Sequence, residues 1–245
     1  MSNSDLDNIP KVIHQIWLGE YKPPVEAMES WKANNPDWTY CLWSEKNLPD
    51  LVNRQAFLES DNYPQKADIL RYEILHQYGG IYMDADVHCL KSIDPLYSQW
   101  LESDESLVAA FEGNKSQPEL VANTFIACKK GNDFVGELVA NIDISKQGGA
   151  WEITGPKYFS GLINQLKPKI KLLDSKVFFP IHHGDKEHRL VDLDILNRDP
   201  EIYGVHLWAG TKRAYEPKWY KSPFSYLFLQ LRKSLNKTFQ VKPRS

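Results

Sequence analysis

Residues 66–89, KADILRYEILHQYGGIYMDADVHC, predict a helix, a glycine stop and a short strand that ends in two carboxylates. Apolar side chains in the first half recur three and four positions apart, which is typical of one buried helical stripe. They are Ala67, Leu70, Ile74, Leu75 and Tyr78. Gly79 and Gly80 are expected to end the helix, because glycine readily adopts the left-handed dihedral angles that a helix C-terminus needs.

Asp84 and Asp86 follow the apolar residues 81–83 at a spacing of two, so on an extended backbone both carboxylates would point to one face. Two carboxylates on one face repel each other unless a cation lies between them, and a hard divalent ion is the natural occupant. Asp68 and Arg71, three apart on the helix, can also point the same way. A bare D-x-D is more often a pair of solvated turn residues, but the preceding helix and strand favour the metal site.

The same stretch resembles the core of the DXD sugar-transferase family, glycosyltransferase family 32. That family includes yeast-type mannosyltransferases and has the glucosylating domains of large clostridial toxins as distant relatives. Its pattern is roughly Ser/Ala-Asp-x-x-Arg-x-x-x-Leu, then Gly-Gly-Ile-Tyr-x-Asp-x-Asp, and this chain matches every fixed position over about twenty residues. The resemblance implies an α/β fold of the GT-A type, with a central mixed sheet flanked by helices, and retention of the anomeric configuration.

Length and charge are consistent with a globular enzyme. The 245 residues can form one large α/β core, and the net charge of −3 argues against a nucleic-acid partner. We predict a flexible N-terminus over residues 1–8, a single catalytic domain over 9–220 and a basic amphipathic segment over 221–245. No apolar run reaches the roughly 18 residues of a membrane span. Cys41, Cys89 and Cys128 lack metal-site spacing and are interpreted as reduced thiols of a cytoplasmic protein.

Residues 9–19, IPKVIHQIWLG, predict the opening strand. In the family this strand ends at the nucleotide, so the resemblance places Ile13, His14, Gln15 and Trp17 at the sugar donor, with Trp17 on or near the base. The alternative is that Trp17 lies in the core and that His14 and Gln15 bond to neighbouring backbone. Further strands are predicted over 38–43, 106–112, 122–128, 178–184 and 202–211. Further helices are predicted over 23–34 and 132–144, and a helical region over 44–60 with a break near Pro49.

Later positions match the family more loosely. By resemblance, Asn123 lies near the donor sugar or phosphate, although an Asn at a strand start is more often a turn residue. His206 would complete the metal shell, and Trp208 would pack over the donor. A lone His on an apolar strand is more often a core residue.

Residues 148–156, GGAWEITGP, form a glycine-flanked loop that precedes another helix. Trp151, Glu152 and Thr154 could belong to a lid or to the acceptor pocket, or this stretch could be a plain connection. His182 and His183 are adjacent, so at most one of them is expected to face a cleft.

These residues together predict transfer of a hexose from a UDP- or GDP-sugar to an acceptor hydroxyl. Asp86 would bind Mn²⁺ or Mg²⁺ directly, and the ion would stabilise the charge that develops on the leaving diphosphate. Asp84 would bind the metal or, as the resemblance implies, the ribose and the sugar through metal or water. Asp68 and Arg71 would bond the donor sugar, and Arg71 could reach the phosphate as well. Ala85 lies between the two ligands. Tyr82 is expected to point away from the carboxylates, although family relatives place a tyrosine by the sugar.

The acceptor is expected to be a carbohydrate, a lipid-linked group or a protein. Residues 221–245 are basic and contain no acidic residue, so as a helix they could lie on an anionic membrane or dock on the domain. Location is therefore predicted as cytoplasmic, with peripheral membrane contact as one alternative.

Two other classes of protein share parts of this pattern. Aspartyl-phosphate phosphatases carry D-x-D after an apolar strand, but there it usually follows the first strand of the domain, whereas Asp84 follows an intact α/β unit. A non-catalytic carbohydrate-binding protein is suggested by eight Trp and twelve Tyr residues. Aromatic binding platforms need no metal-binding carboxylates, so metal-dependent hydrolysis of a nucleotide sugar would separate these classes.

Overall fold

The computed structural model describes residues 8–102, 105–113, 119–182 and 192–208. The chain divides into one compact unit, Met1–Leu207, and a second, Trp208–Ser245. The strands are β1 (Val12–Ile16), β2 (Thr39–Trp43), β3 (Gly80–Met83), β4 (Val87–Cys89), β5 (Leu107–Phe111), β6 (Val121–Cys128), β7 (Lys171–Leu173) and β8 (Gly204–His206). The helices are α1 (Val25–Asn34), α2 (Arg54–Glu59), α3 (Tyr63–Tyr78), α4 (Asp94–Glu102), α5 (Asp133–Ala140), α6 (Ala150–Ile153), α7 (Pro156–Leu166) and α8 (Leu193–Leu196).

A six-stranded mixed sheet runs in the order β2-β1-β3-β6-β5-β7. Strand β1 pairs in parallel with both β2 and β3, whereas β6 is antiparallel to β3 and β5. A separate antiparallel pair joins β4 to β8. Strands and helices alternate along the first half of the chain, and the predicted α/β class with a mixed sheet flanked by helices is confirmed.

Helix α3 is the central helix of the core, and it begins and ends as the sequence predicts. The side chain of Asn62 accepts a hydrogen bond from the Gln65 amide and caps the first turn, next to Pro64. Gly79 ends the helix at a φ of 66°, and a Cβ there would lie 2.5 Å from the Lys130 nitrogen. Any other residue at this position would therefore strain the backbone and collide with the neighbouring turn.

The buried surface of α3 is wider than one stripe. Ile69 and Tyr72 are buried together with the predicted Leu70, Ile74 and Leu75. Tyr78 was predicted to lie in the stripe and is instead 42% exposed. The ring of Tyr78 stacks on that of Trp43 at the end of β2, with ring centroids 5.5 Å apart.

His14 joins β1 to the end of α3. Its Nε2 donates to the Gly79 carbonyl oxygen at 2.9 Å, and its Nδ1 accepts from Trp43 Nε1 at 3.1 Å. Both bonds suit a neutral imidazole, and burial lowers the pKa of His14 to about 4. His14 therefore follows the alternative in which it bonds to neighbouring groups of the core.

One predicted element is confirmed in part and another is wrong. The helical region predicted over 44–60 contains α2 after the predicted break near Pro49, whereas before the break the Asn47 side chain accepts from the Ser44 amide and closes a turn instead. Within residues 178–182, the described part of the predicted strand 178–184, there is no strand. A 3₁₀ turn over Ser175–Val177 precedes them, and the Phe179 amide bonds back to the Ser175 carbonyl.

Other boundaries are shorter than predicted. Helix α5 ends at Ala140 rather than near residue 144, and the predicted loop 148–156 contains the short helix α6. Residues 1–7 and 221–245 lie outside the described part of the chain. No helix of the described residues is long and apolar enough to cross a membrane.

The buried imidazole of His14 makes stability depend on pH. The pKa of His14 lies near 6.5 in the unfolded chain and about 4 in the folded chain, so the stabilisation is complete above pH 6.5 and falls as pH drops through that window. We expect this residue alone to reduce the free energy of unfolding by up to about 3 kcal/mol between pH 6.5 and 4. Urea unfolding of wild type and His14→Gln at several pH values measures it. Identical pH slopes for the two proteins would show that His14 does not titrate in this way.

Candidate active site

The two predicted carboxylates follow β3 on a turn. The Val87 amide donates to the Asp84 carbonyl oxygen at 3.1 Å, and the Asp84 amide donates to the Thr124 oxygen at 3.0 Å. The prediction that both side chains share a face of an extended strand is therefore wrong in its geometry. The turn brings them together all the same, and one ligand atom each from Asp84, Asp86 and His206 lie within 4.8 Å of one another.

His206 reaches this site because β8 pairs with β4. Val87 and His206 are opposite each other in that pair, and His206 Nε2 lies 3.1 Å from Asp86 Oδ1. Burial by itself lowers the pKa of His206, but the carboxylates of Asp86, Asp84 and Glu112 outweigh burial and raise it. The imidazole thus sits in a region of concentrated negative charge.

This donor set fits a divalent cation. Two carboxylate oxygens and one imidazole nitrogen are ligands that Mn²⁺ and Mg²⁺ accept. An ion with metal–ligand bonds of about 2.1 Å spans opposite ligands about 4.2 Å apart, so the observed cluster needs only small side-chain adjustments. Asp84, Asp86 and His206 are therefore the residues that would hold the metal.

Asp84 also contacts a cation of the protein itself. Its Oδ1 lies 3.2 Å from Arg71 Nη2 and accepts from the Tyr82 hydroxyl at 2.8 Å. The Tyr82 ring lies under the guanidinium, 4.4 Å from Arg71 Cζ to the ring centroid. The prediction that Tyr82 points away from the carboxylates is wrong, because residues 82 and 84 are two apart and share a face.

Arg71 connects Asp84 to a second, deeper carboxylate. Its Nη2 lies 3.0 Å from Asp68 Oδ1, and its Nη1 donates to the Asn123 carbonyl oxygen at 2.5 Å. Burial raises the pKa of Asp68 to about 6, although the neighbouring guanidinium opposes that shift. Burial opposes charge on Arg71 too, yet the carboxylate of Asp84, together with Tyr82 and Asp68, holds the pKa of Arg71 above its usual range.

Asn123 lies inside β6 rather than at a strand start. Its Nδ2 donates to Asp68 Oδ1 at 2.8 Å and contacts the Tyr72 hydroxyl at 3.1 Å. The turn alternative for Asn123 is therefore wrong, and the structure places this residue in the same network as Asp68 and Arg71.

The predicted donor-binding residues of β1 differ in position. Gln15 donates from Nε2 to the Asp84 carbonyl oxygen at 3.1 Å and accepts from the Tyr40 hydroxyl at 2.6 Å, so it supports the backbone of the metal-binding turn. Ile13 is buried in the core beside Ile81. Trp17 is half-buried at the end of the strand, where its Nε1 donates to the Tyr21 carbonyl oxygen at 2.8 Å.

The stretch predicted as a lid or acceptor pocket is split between surface and core. Trp151 and Glu152 are exposed on α6, where Glu152 accepts from the Gly149 amide. Thr154 is fully buried, and its hydroxyl donates to Asp68 Oδ2 at 2.9 Å. The structure therefore brings Thr154 to the network of Asp68 and Arg71 and leaves the other two residues at the surface.

Some residues near the site escaped the sequence reasoning. Glu112, at the end of β5, is buried and lies with Oε1 3.2 Å from His182 Nε2. Tyr72 and Tyr40 bond to predicted site residues. Tyr72 directly follows Arg71 on a buried helix, which was the available signal; nothing in the sequence marks Glu112.

Ala85 is buried within the turn, and Trp208 is the first residue of the second compact unit, so the role of Trp208 stays a prediction.

The fold and site define an α/β protein with a paired-carboxylate site at the end of a central strand. The family model described as "Glycosyltransferase sugar-binding region containing DXD motif" matches residues 24–106. Inositol phosphoceramide mannosyltransferase 3 of Schizosaccharomyces pombe is 33% identical over 144 residues, 55% of this chain and 37% of that protein. Mannosyl phosphorylinositol ceramide synthase CSH1 of Saccharomyces cerevisiae is 28% identical over 211 residues, 74% of this chain and 53% of that protein.

The chain thus spans about half or less of the length of these curated relatives. Among solved structures, PaToxG glycosyltransferase is similar with a TM-score of 0.48 and 20% identity, over 64% of this chain and 70% of that chain. A TM-score below 0.5 makes this a loose resemblance. The predicted resemblance to the DXD sugar-transferase family is confirmed: residues 24–106, which contain Asp68, Arg71, Asp84 and Asp86, match the DXD-containing sugar-binding region of glycosyltransferases.

Removing the guanidinium of Arg71 should destabilise the fold strongly. Arg71→Met leaves Asp68 and Asp84 near each other without a cation, and breaking a buried ion pair in this way costs about 3 kcal/mol or more. Urea unfolding measures the loss. Glu29→Gln is the matched control, because it breaks the exposed ion pair with Lys32 and should change stability little. Equal effects of the two variants would contradict the structural role of Arg71.

Proposed function

We propose that this protein is a metal-dependent glycosyltransferase that moves a hexose from a nucleoside-diphosphate sugar to an acceptor hydroxyl. The observation that carries the proposal is the convergence of Asp84, Asp86 and His206 next to the buried guanidinium of Arg71. A diphosphate carries several negative charges, and a cation on these three ligands together with the guanidinium of Arg71 would neutralise them. The match of residues 24–106 to the DXD region supports the same activity.

The donor would be held by side chains that hydrogen bonds and ion pairs already orient before the donor binds. Arg71 is fixed by Asp68, Asp84 and the Asn123 carbonyl, so its charge needs no reorganisation when a phosphate or a sugar oxygen approaches. Tyr82 and Arg71 hold Asp84 through Oδ1, and Gln15 holds its main chain. When bound, Mn²⁺ or Mg²⁺ supplies Lewis-acid stabilisation of the charge on the departing diphosphate.

Retention of configuration belongs to the proposal, as the family resemblance implies. A retaining reaction through a covalent intermediate needs a carboxylate nucleophile. Asp68 already accepts hydrogen bonds from Asn123 and Thr154 and pairs with Arg71, which leaves it poorly suited to attack a sugar. These contacts favour a front-face reaction, in which the leaving phosphate takes the proton of the acceptor hydroxyl.

The acceptor is proposed to be a glycolipid or another glycoconjugate. Two similar proteins carry inositol phosphoceramide or mannosyl phosphorylinositol ceramide in their names, which favours a lipid-linked hydroxyl and a mannose donor. Residues 221–245 are basic and partly apolar, and we propose that they attach a cytoplasmic protein to the surface of an anionic membrane.

Loss of either carboxylate should abolish metal-dependent turnover. Asp84→Ala and Asp86→Ala each remove a metal ligand, so we expect at least a hundredfold loss of Mn²⁺-dependent hydrolysis or transfer with a panel of UDP- and GDP-sugars. Release of nucleoside diphosphate, with and without a chelator, measures it. Asp143→Ala is the control, because Asp143 is an exposed carboxylate that bonds to Ser145 on its own loop.

Normal activity in either metal-ligand variant would refute the site. Activity of the wild type on a generic phosphoester but on no nucleotide sugar would instead support a phosphatase.

A further inference from the structure

A closed ring of hydrogen bonds surrounds the carboxylate of Asp68. Asn123 Nδ2 donates to Asp68 Oδ1 and lies 3.1 Å from the Tyr72 hydroxyl. The Tyr72 hydroxyl donates to the Thr154 carbonyl oxygen at 2.7 Å. Thr154 Oγ1 donates to Asp68 Oδ2 and closes the ring. The four residues come from α3, β6 and the connection between α6 and α7. All four are buried, but the side chain of Asp68 keeps 8% of its surface accessible.

Within the part of the chain that the structure describes, the contacts of Asp68 leave it one acceptor position. A carboxylate offers about four lone-pair sites, two on each oxygen. Oδ1 uses its two on Arg71 Nη2 and Asn123 Nδ2. Oδ2 uses one on the Thr154 hydroxyl, so the remaining site of Asp68 lies on Oδ2, in a direction that Thr154 sets.

We propose that Thr154 is a positioning residue for recognition of the donor sugar. Its hydroxyl holds Asp68 so that the remaining acceptor site of Oδ2 receives a hydroxyl of the sugar, and Tyr72 holds the main chain of Thr154 in place. This inference rests on the proposed function, since it requires a nucleotide sugar at the site. Thr154 acts through Asp68 and belongs to the donor side of the site rather than to the acceptor pocket.

The proposal separates two parts of the donor. The nucleoside diphosphate would be held by the cation ligands and by Arg71, whereas the sugar hydroxyl depends on the orientation of Asp68. A change at Thr154 should therefore weaken binding of the sugar-bearing donor and leave binding of the bare nucleoside diphosphate unchanged. A purely structural role would weaken both or neither.

Ser160 provides a matched control. It is also buried, and its hydroxyl lies 2.8 Å from the Val121 amide and 3.1 Å from the Val121 carbonyl oxygen, joining α7 to β6 without touching Asp68. Ser160→Ala thus removes a buried hydroxyl that, like that of Thr154, bonds to a neighbouring element of the core. It should reduce stability and leave the preference for the sugar-bearing donor intact.

The test is calorimetric titration of the full chain in Mn²⁺ with UDP, GDP, UDP-glucose, UDP-galactose and GDP-mannose. For the sugar nucleotide that wild type binds, we expect Thr154→Val to weaken affinity about tenfold or more, because Asp68 Oδ2 loses its buried donor. Thr154→Ser should restore wild-type affinity, and affinity for the matching nucleoside diphosphate should stay within about twofold throughout. Tyr72→Phe should act in the same direction with a smaller effect, and it serves as the test if Thr154→Val does not fold.

Several outcomes would overturn the inference. Wild-type affinity for the sugar nucleotide in Thr154→Val, or in Tyr72→Phe where the first variant fails to fold, removes it while leaving the transferase proposal standing. Equal losses for nucleotide and sugar nucleotide, or the same loss in Ser160→Ala, would show that Thr154 only stabilises the fold. A wild-type chain that binds none of these compounds in Mn²⁺ refutes the proposed function and this inference with it.

Discussion

The guanidinium of Arg71 lies between two carboxylates in the interior, and the rest of the site depends on it. A buried carboxylate is expensive unless a cation or hydrogen-bond donors compensate it, and Arg71 contacts both Asp68 and Asp84 within 3.2 Å. The position of Arg71 follows from α3, which is held at one end by the Asn62 cap and at the other by the Gly79 turn. Helix position therefore determines how the charge of the site is balanced.

The same arrangement gives the carboxylates different surroundings. Asp68 is deep, fully hydrogen-bonded apart from one position, and has a raised pKa. Asp84 and Asp86 lie nearer the surface on a turn, together with an imidazole. A fixed carboxylate suits recognition of an uncharged hydroxyl group, whereas a less constrained pair suits an ion that exchanges with solvent.

The sequence predicts those parts of the site that depend on interactions between residues close together in the chain. The spacing of Asp68 and Arg71, the glycines after α3 and the apolar strand before Asp84 all follow from helix and strand periodicity. Backbone geometry beyond these local patterns was harder to predict from the sequence. The turn at residues 84–87 replaced an extended strand because Val87 bonds back to Asp84, and the buried position of Thr154 depends on a partner 86 residues away. The part of the predicted helical region that precedes Pro49 is a turn for a local reason, since the Asn47 side chain competes with helical hydrogen bonding.

The pairing of β4 with β8 has a kinetic consequence. It joins Asp86 to a histidine 120 residues further along the chain, after most of the sheet has been traversed. Closing so large a loop costs entropy that only later contacts recover, so this strand pair belongs among the slow steps of folding. During synthesis, a ribosome-bound chain that already contains the whole DXD stretch would still lack its third ligand. All three side chains of the cluster would then be present only after residue 206 has been added to the chain.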